Sequence, residues 1–263
     1  MGSPIDAAAE QAIAGCSRSV TRGIGPSSLK HSFPFEDLAP LVVWPAAAQL
    51  AVAPPEGPLF PIALLVAGCW WLCRGIELAA ATVGDVTLTP ERSEVSLALP
   101  VSKTDPKALG TSRTHGCLCC VEDAPLAPLC PFHFLTRYLA LLYDYFATQG
   151  RDQFHCLPLF PTASGDVLSK AQVVHALRSC IATTGTPLVA VDTCGVHRQR
   201  FGEHVARVAG AQALARAGVD ISLIELIGGW GSSAVRRYVQ QAALAVQPRS
   251  RGCEAGSGSR GFC

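Results

Sequence analysis

Between Pro61 and Cys73 the chain carries no charged side chain, and the run ends at Arg74. A helix of about 13 residues is too short to cross a bilayer, whose hydrocarbon core takes about 20. Leu64, Leu65, Gly68, Leu72 and Ile76 recur at helical spacing, so residues 60–81 are expected to form one buried helix, with Arg74 and Glu77 near its end. A buried helix needs other elements around it. The chain has 263 residues, 49% of them hydrophobic, enough to supply these as one large domain or two small ones.

The flanking pattern is mostly helical. Residues 36–52 read as a helix closed by Pro54-Pro55-Glu56-Gly57-Pro58. Pro131 opens an amphipathic helix whose stripe is Phe134, Leu135, Tyr138, Leu142 and Tyr145. Ser169 suits the N-cap of a helix bearing Val173, Val174, Leu177 and Ile181. A helix is expected from about His197 to Ala217, ending at Gly218. Asp220 then caps a short one over 221–227, stopped by Gly228-Gly229, and a last helix runs over 235–246. Strand-like alternation falls at 83–88 and 94–99, turned at Pro90-Glu91-Arg92-Ser93. The expected fold class is α+β, mainly α-helical, with a small antiparallel sheet on one side. Residues 1–35 read as a disordered leader, 36–247 as the folded domain and 248–263 as a disordered tail.

A net charge of +1 is weak for a nucleic-acid-binding chain, but the charge is unevenly spread. Residues 194–249 carry seven arginines against Glu203, Asp220 and Glu225, and residues 1–193 carry an acidic excess of four. Twelve cysteines could mark a secreted disulfide scaffold. The length and the lack of a basic-then-apolar opening argue instead for reduced thiols and an intracellular chain: nucleus in a eukaryote, cytoplasm or nucleoid otherwise.

His197 and Arg200 stand three apart at the expected helix start, where one face lets both reach one ligand group. An arginine fork suits a phosphate, and Tyr238 downstream could attack one. Trp230 lies between them in Gly229-Trp230-Gly231, and Lys103 follows the strand pair in Val101-Ser102-Lys103-Thr104-Asp105. The order Arg74, Lys103, His197-x-x-Arg200, Trp230, Tyr238 resembles the tyrosine recombinase (phage integrase) family over roughly residues 40–247.

The resemblance implies a catalytic domain that breaks and rejoins double-stranded DNA through a 3′-phosphotyrosyl link, as in site-specific recombination and DNA integration. Tyr238 would attack phosphorus, with His197 accepting its proton and Lys103 supplying one to the departing 5′-oxygen. Arg74 and Arg200 would answer the charge that grows on the nonbridging oxygens. Trp230 would donate its indole N–H, and Glu77 would orient Arg74. Arg198, Arg236 and Arg237 are expected DNA contacts, and no catalytic cofactor is required. A tetramer on DNA, and no membrane, complete the implied partners. The family usually carries a helical clamping domain ahead of this region, and only about 35–60 residues precede the match here. The expectation is therefore a fragment, or a chain gripping DNA without half the clamp. Three further readings stay open: a catalytically silent DNA-binding remnant of a mobile element, a type IB topoisomerase-like enzyme, and an interaction module with no DNA role.

His115-Gly116-Cys117-Leu118-Cys119-Cys120 and Cys130-Pro131-Phe132-His133 form a second constellation. Cys117, Cys119, Cys130 and His133 have the composition of a closed Cys₃His structural zinc site. The spacing alone leaves two readings, that site or a group of incidental thiols.

Overall fold

Pro45 divides the first expected helix. Residues 36–52 form a 3₁₀ turn, Phe35–Leu38, and two short helices, Ala39–Val42 (α1) and Ala46–Ala51 (α2). Pro45 has no N–H to continue the α1 ladder and serves as the α2 N-cap. The computed structural model describes residues 31–99, 111–122, 124–150, 153–192, 195–230 and 234–239. The expected tail and most of the expected leader lie outside these. Phe33 and Phe35 are buried, so the folded body begins ahead of residue 36.

The uncharged run also becomes two helices. Pro61–Trp70 (α3) has all ten residues buried. It stops in a Schellman-type ending, in which the Cys73 N–H bonds the Gly68 carbonyl at 3.1 Å and Leu72 takes a left-handed φ of 47°. The chain restarts at Gly75–Ala80 (α4), with Arg74 as its N-cap. Arg74 therefore stands at a helix start rather than near a helix end.

Strands Val86–Thr89 (β1), Glu94–Leu99 (β2) and Thr111–Gly116 (β3) make an antiparallel sheet in the order β1-β2-β3, with Val86 opposite Leu97 and Leu97 opposite Arg113. The expected two-stranded unit thus gains a third strand. Pro131–Ala147 (α5) packs on α3, β2 and β3, burying Phe134, Leu135, Tyr138, Leu142 and Phe146. Phe146 takes the place in the stripe expected of Tyr145. Ser169 caps Lys170–Thr183 (α6) through reciprocal bonds with Gln172, 3.3 and 2.7 Å long.

The next expected helix does not start at His197. His197–Gln199 (β5) pairs antiparallel with Val189–Val191 (β4), and the helix begins only at Val205–Arg216 (α7). Asp220 caps Ile221–Gly228 (α8) by accepting from the Ser222 N–H at 2.8 Å, and Gly229 ends it at φ 61°. Ala234–Val239 (α9) follows and packs on α7 and α8. The α3–α7 crossing is a backbone approach. A Cβ on Gly210 would lie 2.0 Å from the Cys69 carbonyl oxygen, and one on Gly68 would lie 2.8 Å from Ala206 Cβ. The chain is α+β and mainly helical, with its small antiparallel sheet to one side of α3.

Candidate functional site

The end of α3, the start of α4 and the first turns of α7 meet at one place, where charge collects. Glu77 lies in the first turn of α4, and its carboxylate accepts from the Arg74 backbone N–H and the Arg74 guanidinium, both at 2.7 Å. One acid thus caps the helix and holds the arginine. Gly75 allows that turn to sit against α6 and the α7 entry: a Cβ there would meet Val173 Cγ1 at 3.1 Å and Glu203 Cβ at 3.5 Å.

Arg207 comes up beside this turn from α7. Its relative exposure is 3%, and its guanidinium donates through Nη1 to the Leu72 carbonyl at 3.2 Å and through Nη2 to the Gly228 carbonyl. The Trp230 ring covers it, with Cζ 4.2 Å from the ring centroid. Burial lowers the Arg207 pKa to about 10, and the nearby Arg74 charge pushes the same way while Glu77 opposes it. The side chain stays a cation at neutral pH. Arg113 on β3 adds a further buried positive charge, donating to the Trp71 carbonyl and, at 3.8 Å, to Cys73 Sγ. Cys73 is no nucleophile, because burial pushes its thiol up to about 12.

His204 precedes α7 as its N-cap, half exposed, with Nε2 3.6 Å from Glu203 Oε1. Glu203 in turn pairs with Lys170 at 2.8 Å. That hydrogen bond holds the Glu203 carboxyl below its ordinary pKa, and the Arg74 charge contributes in the same direction. His204-Val205-Ala206-Arg207 therefore repeats the His-x-x-Arg spacing seven residues after His197.

The first copy is placed otherwise. His197 opens a strand that ends at Gln199 and Arg200 follows it, so the shared helical face expected of His197 and Arg200 does not exist. His197 is exposed. Arg200 donates to the Pro187 carbonyl at 2.8 Å and lies over the Phe201 ring, and Arg198 is paired with Asp192 at 2.6 Å. A helix started at His197 hides this second pair, because the observed helix begins only at Val205. The signal available was Gly202, a poor helix-interior residue, just ahead of the second pair.

No family model matches the sequence, and no curated protein matches it. Solved structures do. The post-cleavage complex of the XerH site-specific recombinase with palindromic difH substrate is similar at a TM-score of 0.54 and 14% identity, over 82% of this chain and 51% of that one. The pre-cleavage XerH–difH complex gives 0.51 and 15%, over 82% and 50%. This chain shares its fold with these recombinases over most of its length. The chain spans about half the length of these recombinases.

Within that recombinase fold, Tyr238 belongs to α9, the helix packed on α7, and its side chain lies outside the description. Lys103 and the side chain of Arg237 are likewise outside it. Arg236 is exposed, 3.9 Å from Glu225. Tyr138 is buried, its hydroxyl donates to the Leu159 carbonyl, and burial raises its pKa. Cys117, Cys119, Cys130 and His133 converge, their ligand atoms all within 4.8 Å of one another.

Proposed function

We propose that this chain breaks and rejoins double-stranded DNA through a phosphotyrosyl intermediate, with Arg74 and Arg207 as the phosphate-binding pair. Tyr238 Oη forms a bond to phosphorus as the bond to the 5′-oxygen breaks, leaving a 3′-phosphotyrosyl end and a free 5′-hydroxyl. The tyrosine proton passes to His204, which takes the role first expected of His197. Lys103 supplies a proton to the 5′-oxygen. The reverse attack by a 5′-hydroxyl reseals the strand, so no nucleotide or metal enters the scheme. The observation that carries this reading is the Arg74–Glu77 pair brought beside Arg207 under Trp230, within a recombinase fold. Arg207 gives one N–H to each of two backbone carbonyls, and the rest of its fork is the donor set proposed for phosphate oxygens.

The burial of Arg207 favours a second reading, a DNA-binding domain without chemistry. At 3% exposure under an indole ring, Arg207 meets phosphate only after Trp230 shifts. A nicked suicide duplex separates the two. The intact chain is expected to form a covalent protein–DNA adduct that Tyr238→Phe abolishes while duplex binding persists. Binding without any adduct selects the second reading, and an adduct that survives in Tyr238→Phe refutes the nucleophile. Assembly on DNA is proposed to use residues beyond 239, because Val235 and Val239 are buried in the chain's own core.

A further inference from the structure

The β3–α5 connection holds a cluster that the recombinase chemistry does not use. Three sulfurs face one imidazole nitrogen: His133 Nδ1 lies 3.5 Å from Cys117 Sγ, 3.3 Å from Cys119 Sγ and 3.4 Å from Cys130 Sγ. A single ring nitrogen has either one proton or one lone pair, so three simultaneous hydrogen bonds cannot account for this convergence. The Cys117 and Cys130 sulfurs are 3.7 Å apart, far beyond the roughly 2.05 Å of a disulfide. A tetrahedron with metal–sulfur bonds of about 2.3 Å and a metal–nitrogen bond of about 2.0–2.1 Å has edges of about 3.7 Å between sulfurs and about 3.5 Å from sulfur to nitrogen. The four spacings given above match those edges to within about 0.2 Å, and every other pair of ligand atoms lies within 4.8 Å.

The surroundings agree with a thiolate site. The Leu118 N–H donates to Cys130 Sγ at 3.3 Å, and the Cys119 N–H donates to Cys117 Sγ at 3.4 Å, as backbone amides do around metal-bound sulfur. No carboxylate belongs to the group, which disfavours calcium and magnesium, and three thiolates with one imidazole suit zinc. We infer that Cys117, Cys119, Cys130 and His133 bind one zinc ion in a closed tetrahedral site, which ties the end of β3 to the first turn of α5. With four protein ligands the site has no open position for substrate, so the ion is structural.

The tie matters because of what β3 carries. Two residues before Cys117, His115 Nε2 bonds the Trp70 carbonyl at 3.0 Å, and Arg113 reaches the Trp71 carbonyl beside the arginine site. At the other end of the loop, the Leu129 carbonyl accepts from Trp70 Nε1 at 2.7 Å. The ion therefore closes the segment that braces the end of α3.

The test is metal analysis of the full chain, purified without chelator from zinc-supplemented culture. About one zinc per chain is expected. Exchange for cobalt should give the visible bands of a tetrahedral ion together with a thiolate-to-cobalt charge-transfer band. Cys119→Ser alters an exposed ligand and should lose the metal, whereas Cys120→Ser alters the adjacent exposed thiol and should keep it. If Cys119→Ser does not fold, the cobalt spectrum of the unaltered chain decides alone. A folded chain with less than about a tenth of a zinc per molecule and no cobalt bands overturns the inference. So does equal metal loss from Cys119→Ser and Cys120→Ser, or a Cys117–Cys130 disulfide in the freshly purified protein.

Discussion

On the β4–β5 hairpin, His197 stands in solvent and Arg200 donates to a loop carbonyl at Pro187. Seven residues later the same His-x-x-Arg spacing straddles the start of α7. There His204 caps the helix, and Arg207 is buried against two carbonyls and an indole ring. The two segments share composition and differ in backbone. Residues three apart share a face on a helix and do not along a strand. Spacing becomes a site only once the backbone period is known.

The largest effect that could break this contrast is in chemistry. Arg207→Ala should slow adduct formation by about 10²–10³-fold, the usual loss when a transition-state donor is removed, and Arg200→Ala by less than about threefold. Arg207→Lys keeps the charge but loses the fork, and should recover only a small part of the rate. Single-turnover measurements below the melting temperature of each variant decide this, and equal losses from Arg200→Ala and Arg207→Ala would erase the distinction. His204→Ala against His197→Ala should divide the same way, with about 10²-fold against little change.

A smaller effect tests the packing that seats Arg207. Gly210→Ala places a methyl on the Cys69 carbonyl and should cost about 1–3 kcal/mol in urea unfolding, whereas Gly195→Ala on the hairpin meets no atom within 4 Å and has only its φ of 78° to strain it. A milder loss at Gly210 than at Gly195 would show that the crossing can part. The smallest expected effect is in acid. The Lys170 hydrogen bond depresses the Glu203 pKa, so this pair stabilises the fold above the ordinary glutamate pKa and is lost as pH falls through the depressed one. Lys170→Ala should flatten the decline in melting temperature below about pH 4.5 by roughly 1 °C, since the pair is largely exposed. An unchanged acid limb would remove Glu203 from the contrast.

Much of the fold was legible because helix ends announce themselves chemically. Ser169 with Gln172, Asp220 with Ser222, and Gly229 at φ 61° mark boundaries that can be read off residue types. Strand β3 was not legible. Its inward positions are Arg113 and His115 rather than apolar residues, and their partners are carbonyls of Trp71 and Trp70 about 40 residues away, so Thr-Ser-Arg-Thr-His-Gly reads as a polar loop. Local motifs single out Arg74, Glu77 and Trp230 in the sequence, and the structure pairs the first two and lays the third over Arg207. Arg207 was hidden in an alanine-rich helix, where a lone arginine reads as a solvated face, and only the α3–α7 crossing places it inside. The Cys₃His group was legible as a composition, but its convergence is a tertiary fact.

The crossing of α3 and α7 also sets how this architecture can vary. Where side chains separate two helices, a larger neighbour is absorbed by a small slide of the pair. At Gly68–Ala206 and Cys69–Gly210 there is almost nothing left to compress, so the depth at which α7 lies is dictated by main chain. Arg207 is one residue beyond Ala206 and inherits that depth. The lining of the core can therefore drift through many combinations of Leu, Val and Ile without moving the guanidinium. A single methyl at either glycine should shift α7, and with it the seat of Arg207 against Leu72 and Gly228.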